Sequence, residues 1–286
     1  MAGEDPDEGP RGLAHLREVA GEADEEEDSG AEEELIGLAQ EPGIWMPPEP
    51  QRTVFRGEGF TFVAHGRSAW VHRLRLEESQ VGQRVDHVSA ILGIKGLPRA
   101  TWWVGNLSTP ADLARRLVGL GLEPDDPPEL ISLTIAEPPG GNPEVEVRRV
   151  ETVEDQLQAL EIDWEAFEIA PEERALRRGE AQRSWPVLQV DGRQRTYLAY
   201  LDGRPVGFGR AVFTPHGGLM LGGATLPEAR GKGVYTSIVH ARWAEAVERG
   251  VPRLVVSAGP QSAPILGELG FERIGTVRLY EQRAED

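Results

Sequence analysis

The chain of 286 residues contains no cysteine and only two lysines, Lys95 and Lys232. The absence of cysteine excludes disulfide frameworks, thiolate metal sites and cysteine nucleophiles. No apolar run is long enough to span a bilayer, and the acidic N-terminus does not have the pattern of a signal peptide. The six histidines do not pair at the short spacings of zinc sites, and no basic patch suggests nucleic-acid binding. These absences predict a cytoplasmic chain with no metal site, no membrane association and no nucleic-acid partner.

Negative charge is concentrated at the N-terminus. Residues 1–41 hold fifteen Asp and Glu against Arg11 and Arg17, a net charge of −13 out of −18 for the whole chain. A segment of this composition buries too little apolar surface to offset the entropy lost on ordering. We therefore predict that residues 1–45 form a disordered acidic tail that ends at a cluster of prolines; the alternative is a specific docking arm. Removal of residues 1–41 should leave folding and cofactor affinity nearly unchanged.

Two ordered domains are expected after this tail, at residues 52–140 and 144–286, with a Pro/Gly-rich linker between them. In the first, apolar patterning predicts strands at 60–64, 69–76, 101–104 and 130–135 and two helices. In the second, it predicts one strand, two helices, three strands, a helix, a strand, a short helix and closing strands.

The stretch 222–243 reads as a strand end, a glycine-rich turn and a helix. Unpaired N–H groups and the helix dipole at a helix start attract anions, and glycines let a phosphate approach the backbone. The dinucleotide fingerprint is excluded because Thr236 occupies its third glycine position, and the P-loop because Gly233 follows Lys232. The turn is therefore either a phosphate site or a surface turn shaped by glycine.

The order of elements in residues 144–286, with Arg230-Gly231-Lys232-Gly233-Val234 after the fourth strand, resembles the GCN5-related N-acetyltransferase (GNAT) superfamily. The family pattern is Arg/Gln-x-x-Gly-x-Gly/Ala, and this chain departs from it only at Tyr235. A second match is the pair Gly270-Phe271 after the short helix. The resemblance implies an α/β (α+β) fold with a mixed central sheet flanked by helices, the acyl-CoA N-acyltransferase fold.

The same resemblance implies acetyl-CoA as the acyl donor. In the family, the strand before the turn splays from the next one, here 254–257, and the pantetheine arm fills the gap. The implied cofactor-binding residues are Gly223, Ala224, Thr225, Arg230, Gly231, Lys232, Gly233, Val234, Tyr235 and Thr236. Because these residues all lie in the second domain, we expect acetyl-CoA to bind residues 144–286 alone.

The catalytic groups are unknown from the sequence. The tyrosine that often protonates the leaving thiolate in this family is replaced by Leu266, and the common asparagine is replaced by a stretch containing Gly259, Gln261 and Ser262. Ser257 and Tyr280 are candidate proton donors. Four carboxylates are either acceptor-side groups or a solvated helix face: Glu161, Asp163, Glu165 and Glu168. Three aromatic side chains either shape an acceptor pocket or pack in the core: Trp164, Phe167 and Trp185.

The first domain carries Trp102-Trp103-Val104, a helix and Leu120-Gly121-Leu122, and it resembles the N-terminal half of two-domain GNAT proteins. It lacks the cofactor turn, so it is either a degenerate second copy or an unrelated α/β domain. The implied function is transfer of an acetyl group to a small-molecule or peptide amine. The alternatives are an acyl-CoA sensor, a structural protein on the same fold, or an enzyme that uses another acyl group. Oligomeric state is not readable from the sequence.

Overall fold

The computed structural model describes residues 30–284. The described part contains one mixed sheet of eleven strands, with helices on both faces. The strands are β1 Arg52–Gly57, β2 Phe60–His65, β3 Ser68–His72, β4 Arg99–Val104, β5 Glu123–Ile135, β6 Glu146–Arg149, β7 Gln194–Leu201, β8 Arg204–Thr214, β9 Gly217–Thr225, β10 Leu254–Ala258 and β11 Glu272–Arg283. The helices are α1 30–40, α2 Pro42–Trp45, α3 Val81–Lys95, α4 Leu113–Gly119, α5 Val153–Ala166, α6 Pro171–Asp191, α7 Val234–Glu248 and α8 Ala263–Glu268. The mixed sheet flanked by helices is confirmed.

Local signals account for several helix ends. The Thr152 hydroxyl accepts the Asp155 N–H at 3.1 Å and caps α5. Pro171 opens α6, and Gly192 ends it in the left-handed conformation at φ +68°. In the part of the chain that the structure describes, no helix is both long and apolar enough to cross a membrane.

Strand exchange joins the two halves of the sheet. The order is β1-β2-β3-β4-β11-β5-β10-β9-β8-β7-β6, so β11 lies between β4 and β5. Tyr280 of β11 pairs with Trp102 of β4, and Ser132 of β5 pairs with Ser257 of β10. The last strand of the second half therefore completes the first half of the sheet, and β5 completes the second.

The predicted acidic tail extends too far into the chain. Residues 30–40 are helical, and Leu38 and Ala39 are fully buried against Leu219 and Val255 of β9 and β10. The high acidic content of the segment led to the prediction of disorder, but a short apolar stripe that includes Leu38 and Ala39 is buried. Its burial offsets the entropy of ordering a helix. The rest of the predicted tail, residues 1–29, lies outside the described residues.

Candidate functional site

A V-shaped opening lies between β9 and β10. These parallel strands pair only at Leu254 with Gly218 and at Val255 with Leu219, and they separate toward their carboxyl ends. A cavity of about 940 Å³ fills the opening and passes from one face of the sheet to the other. In open α/β sheets, such a gap at the carboxyl ends of strands is a common position for ligands.

A β-bulge at Gly222 shapes one wall of the cavity. Gly209 pairs with Gly223, whereas Arg210 pairs with Leu221, so Gly222 has no partner in β8. Its φ of +46° favours glycine, and an added Cβ would lie 2.9 Å from the guanidinium of Arg210. A bulged residue leaves backbone groups outside the ladder, and these are free to bond a ligand in the cavity.

The glycine-rich turn closes the outer end of the cavity. Gly231 and Gly233 have φ values of +73° and +72°, and α7 begins directly after them. The Ser237 N–H donates to the Gly233 C=O at 3.0 Å. The N–H groups of residues 234–236 precede this bond and have no acceptor inside the helix. The turn therefore presents unpaired donors at the positive end of the α7 dipole.

Asn142 in the segment before β6 fixes this turn from outside. Its side-chain amide donates to the Lys232 C=O at 2.9 Å, and its backbone N–H donates to the Ser237 hydroxyl at 2.9 Å. A Cβ on Gly233 would lie 2.9 Å from the Asn142 Cβ. Gly233 is therefore required for packing against Asn142 as well as for its backbone conformation, a reason that the sequence did not reveal.

Nine of the ten predicted cofactor-binding residues line the cavity, and Lys232 does not. The Lys232 backbone carbonyl is bonded to Asn142, and its side chain is exposed. The full set of lining residues is Ala39, Pro42, Trp103, Ala166, Phe167, Leu219, Met220, Leu221, Gly222, Gly223, Ala224, Thr225, Ala229, Arg230, Gly231, Gly233, Val234, Tyr235, Thr236, Arg242, Val256, Ser257, Ala258, Gln261, Ser262, Ile265 and Leu266.

The far end of the cavity is built from three separate parts of the chain. Ala39 and Pro42 come from the N-terminal segment, Trp103 from β4, and Ala166 and Phe167 from the end of α5. The indole N–H of Trp103 is buried and has no acceptor among the described residues. The sequence pattern does not predict Trp103 or the N-terminal segment as parts of the site, because neither is close to the glycine-rich turn along the chain.

Of the three aromatic residues considered for an acceptor pocket, only Phe167 lines this cavity. Trp164 is completely buried, and Trp185 packs against a separate apolar cluster under α5. For Trp164 and Trp185, the structure supports the alternative of core packing. Phe167 is 60% exposed and forms part of the rim.

The four carboxylates of α5 and its C-terminal turn do not line the cavity. Glu161 is paired with Arg178, and Glu165 and Glu168 are exposed. Asp163 differs, because burial raises its pKa even though Arg210 and Arg177 oppose the rise. Asp163 is partly buried and lies close to Arg210, the arginine beside Gly222.

The two candidate proton donors have different positions. Tyr280 packs in the core of the first half with Trp102 and Leu113, so the prediction that it donates a proton in the site is wrong. Strand exchange places Tyr280 in the first half of the sheet, and no local sequence pattern indicates this position. Ser257 lines the cavity, but its hydroxyl donates to the Ala39 C=O at 2.9 Å. Leu266 also lines the cavity and is fully buried.

Comparison with known proteins supports a single family. Residues 157–271 match the model of the acetyltransferase (GNAT) family. Comparison with curated proteins found no matching sequence.

Solved structures share the fold at low identity. A GCN5-related N-acetyltransferase from Kribbella flavida is 17% identical with a TM-score of 0.62, and the alignment covers 87% of this chain and 95% of that one. A tandem GNAT protein from the clavulanic acid biosynthesis pathway is 15% identical with a TM-score of 0.59, covering 84% and 85%. A GCN5-related N-acetyltransferase from Sphaerobacter thermophilus is 18% identical with a TM-score of 0.54, covering 80% and 83%.

The order of strands and helices, the splayed strands, the glycine-rich turn and the family match agree with one another. Residues 157–271 therefore form a domain of the GNAT acetyltransferase family, and most of the chain shares the fold of a tandem GNAT protein.

Proposed function

We propose that this protein transfers an acetyl group from acetyl-CoA to an amine. The observation that carries the proposal is the cavity itself, which extends from the glycine-rich turn through the gap between β9 and β10 to Trp103 and Phe167. A donor that carries phosphate at one end and a reactive thioester at the other suits this shape. An acceptor can approach from the opposite face of the sheet.

The donor half has suitable chemistry. The N–H groups of residues 234–236 and the guanidinium of Arg230 border the cavity and can donate to phosphate oxygens. The edge of β9 from Gly223 to Thr225 lines the gap and can bond the amide groups of a pantetheine arm. The Thr225 hydroxyl is buried without a partner in the described chain, and a ligand in the cavity would supply one.

The reaction is a direct attack in a ternary complex. The amine nitrogen attacks the thioester carbon, and backbone groups freed by the bulge at Gly222 stabilise the developing oxyanion. The acceptor chamber is bounded by Trp103, Phe167, Ala39 and Pro42, an aromatic and apolar wall that suits a small-molecule or peptide amine. We assign no general base, because an amine that arrives neutral requires none.

Gly231→Ala tests the donor site. Its φ of +73° disfavours a side chain, and an added Cβ meets no atom within 4 Å, so the substitution places a methyl group directly in the anion site. Gly203→Ala, in the turn between β7 and β8, is the matched control because it has a φ of +72° and equally open surroundings. We expect both variants to lose similar stability and only Gly231→Ala to lose at least about tenfold in acetyl-CoA affinity, measured by calorimetry.

Equal affinity of the two variants for acetyl-CoA would contradict the assignment of the turn. Lys232→Ala should have a smaller effect, which shrinks as salt rises, because the side chain is exposed and lies outside the cavity. Release of free thiol from acetyl-CoA during a screen of amines separates an enzyme from an acyl-CoA sensor, which would bind the donor without turnover.

A further inference from the structure

Arg242 is a buried arginine in the cavity wall, and the proposed function assigns it no role. Its side chain lies in the third turn of α7, is 1% exposed and lines the cavity. It donates to the backbone carbonyl of Arg210 at 3.2 Å and more weakly to that of Ile238 at 3.4 Å. One terminal nitrogen, Nη2, is buried and has no hydrogen-bond acceptor in the described chain.

No carboxylate balances this charge. Within residues 30–284, no acidic oxygen lies within 4.0 Å of the Arg242 guanidinium. Glu245, one turn further along α7, is engaged by Arg249 at 2.6 Å and Arg195 at 3.5 Å, and it also accepts the Tyr197 hydroxyl. A buried cation is normally paired, and an arginine stays charged in proteins. The centre of the Tyr235 ring lies 6.0 Å from the guanidinium carbon, but an aromatic face supplies no formal counter-charge. The missing counter-charge therefore points to a ligand in the cavity.

The phosphates of an acyl-CoA cannot supply that counter-charge. Arg242 is eight residues beyond Val234, so it lies about 12 Å along the helix from the phosphate-binding turn. The packing instead places it at the bulge. Its guanidinium lies beneath Gly209, where an added Cβ would be 3.0 Å from Cζ, and Gly209 pairs with Gly223 next to the bulge. This is the level of the cavity at which the proposed reaction occurs.

In the proposed reaction, negative charge develops beside Arg242 and the bulge only while the thioester reacts. When the amine nitrogen attacks the thioester carbon, the C–S bond breaks and its electron pair leaves on sulfur as a thiolate. The nitrogen loses its proton to solvent, and the products are the amide, a proton and CoA thiolate. Leu266 is apolar, and the Ser257 hydroxyl is occupied by the Ala39 carbonyl, so neither is placed to protonate the sulfur.

We propose that Arg242 is a catalytic residue of the proposed reaction and stabilises the departing CoA thiolate by its positive charge, in place of the tyrosine for which Leu266 is substituted in this chain. This inference rests on the proposed function. A cation within about 4–6 Å of an acid favours the ionised form by tenfold or more. The thiol of bound CoA should therefore be at least about tenfold more ionised at a given pH than the thiol of free CoA.

The test follows the thiolate absorbance of CoA in the ultraviolet during a pH titration with saturating full-length protein, without any acceptor. We expect thiolate formation at lower pH in the wild-type complex than in free CoA. Arg242→Met should abolish this difference, and Arg242→Lys should keep part of it. Arg230→Met is the matched control, because it removes a guanidinium at the phosphate end of the same cavity and should weaken CoA binding without changing the ionisation of the bound thiol.

The wild-type titration decides the question even if Arg242→Met fails to fold. If bound CoA ionises at the same pH as free CoA or at a higher one, Arg242 does not contact the sulfur and the inference fails. If CoA bound to folded Arg242→Met ionises at the same pH as CoA bound to the wild-type protein, Arg242 only stabilises the bulge and the inference fails. If CoA does not bind the wild-type protein, the proposed function itself has failed. Once an acceptor is known, Arg242→Met should lower kcat by at least about tenfold and change KM for the donor less.

Discussion

Leu38 in α1 provides a sharp test of whether the N-terminal segment belongs to the folded unit. Its side chain is fully buried and packs in one cluster with Leu219 and Val255. Replacing leucine by alanine removes three carbon groups, worth about 2.4 kcal/mol at about 0.8 kcal/mol each. The cavity left behind adds to this loss, so Leu38→Ala should destabilise the protein by about 2–5 kcal/mol.

Chemical denaturation gives the free energy of unfolding, and a thermal melt should show a fall of roughly 2–4 °C for each kcal/mol. Leu176→Ala in α6 is the matched control, because that leucine is 55% exposed and its truncation should cost within about 0.5 kcal/mol. If Leu38→Ala is no more destabilising than Leu176→Ala, then α1 does not pack on the sheet. The acceptor chamber would then lose its wall at Ala39 and Pro42.

Two further predictions follow from other parts of the structure. Strand exchange reverses the expectation from the sequence that residues 144–286 alone bind acetyl-CoA: this fragment lacks β4 and β5, the partners of β11 and β10, and should show neither a cooperative unfolding transition nor acetyl-CoA binding. A folded fragment that binds would show that strand exchange is dispensable. His72 is 1% exposed, and burial lowers its pKa to about 3, so folding favours the neutral imidazole. Stability should therefore be complete above pH 6.5 and fall by about 2 kcal/mol between pH 6.5 and pH 5. Denaturant titrations should show that His72→Gln lacks this part of the pH dependence, and an identical dependence in both proteins would contradict the assignment.

The features that the sequence predicts well are local. The turn at 230–233 combines glycines, a helix start and a preceding strand within a dozen residues, so its conformation and exposure follow from short-range chemistry. The cap at Thr152 and the glycine that ends α6 after Asp191 are similar local signals. Pro186 inside α6 is harder to predict, because packing can outweigh one lost backbone hydrogen bond.

The features that the sequence does not predict depend on distant partners. Nothing in the apolar pattern of β11 indicates whether it pairs with its own half or with β4, since both edges accept an apolar strand. The role of Asn142 depends on a contact across 90 residues, and that of Trp103 on a cavity built mainly by the other half of the chain. The apolar stripe of α1 was hidden by neighbouring acids that point to solvent.

Strand exchange also constrains the order in which the sheet can form during synthesis. As the nascent chain leaves the ribosome, β4 is synthesised long before β11, so the first half exposes an open sheet edge until residues 272–283 emerge. Chain ends usually tolerate trimming, because they lie at the periphery of a fold. Here a premature stop that removes only the last fifteen residues deletes a strand from the middle of the sheet, and it leaves two unpaired edges facing each other across the gap.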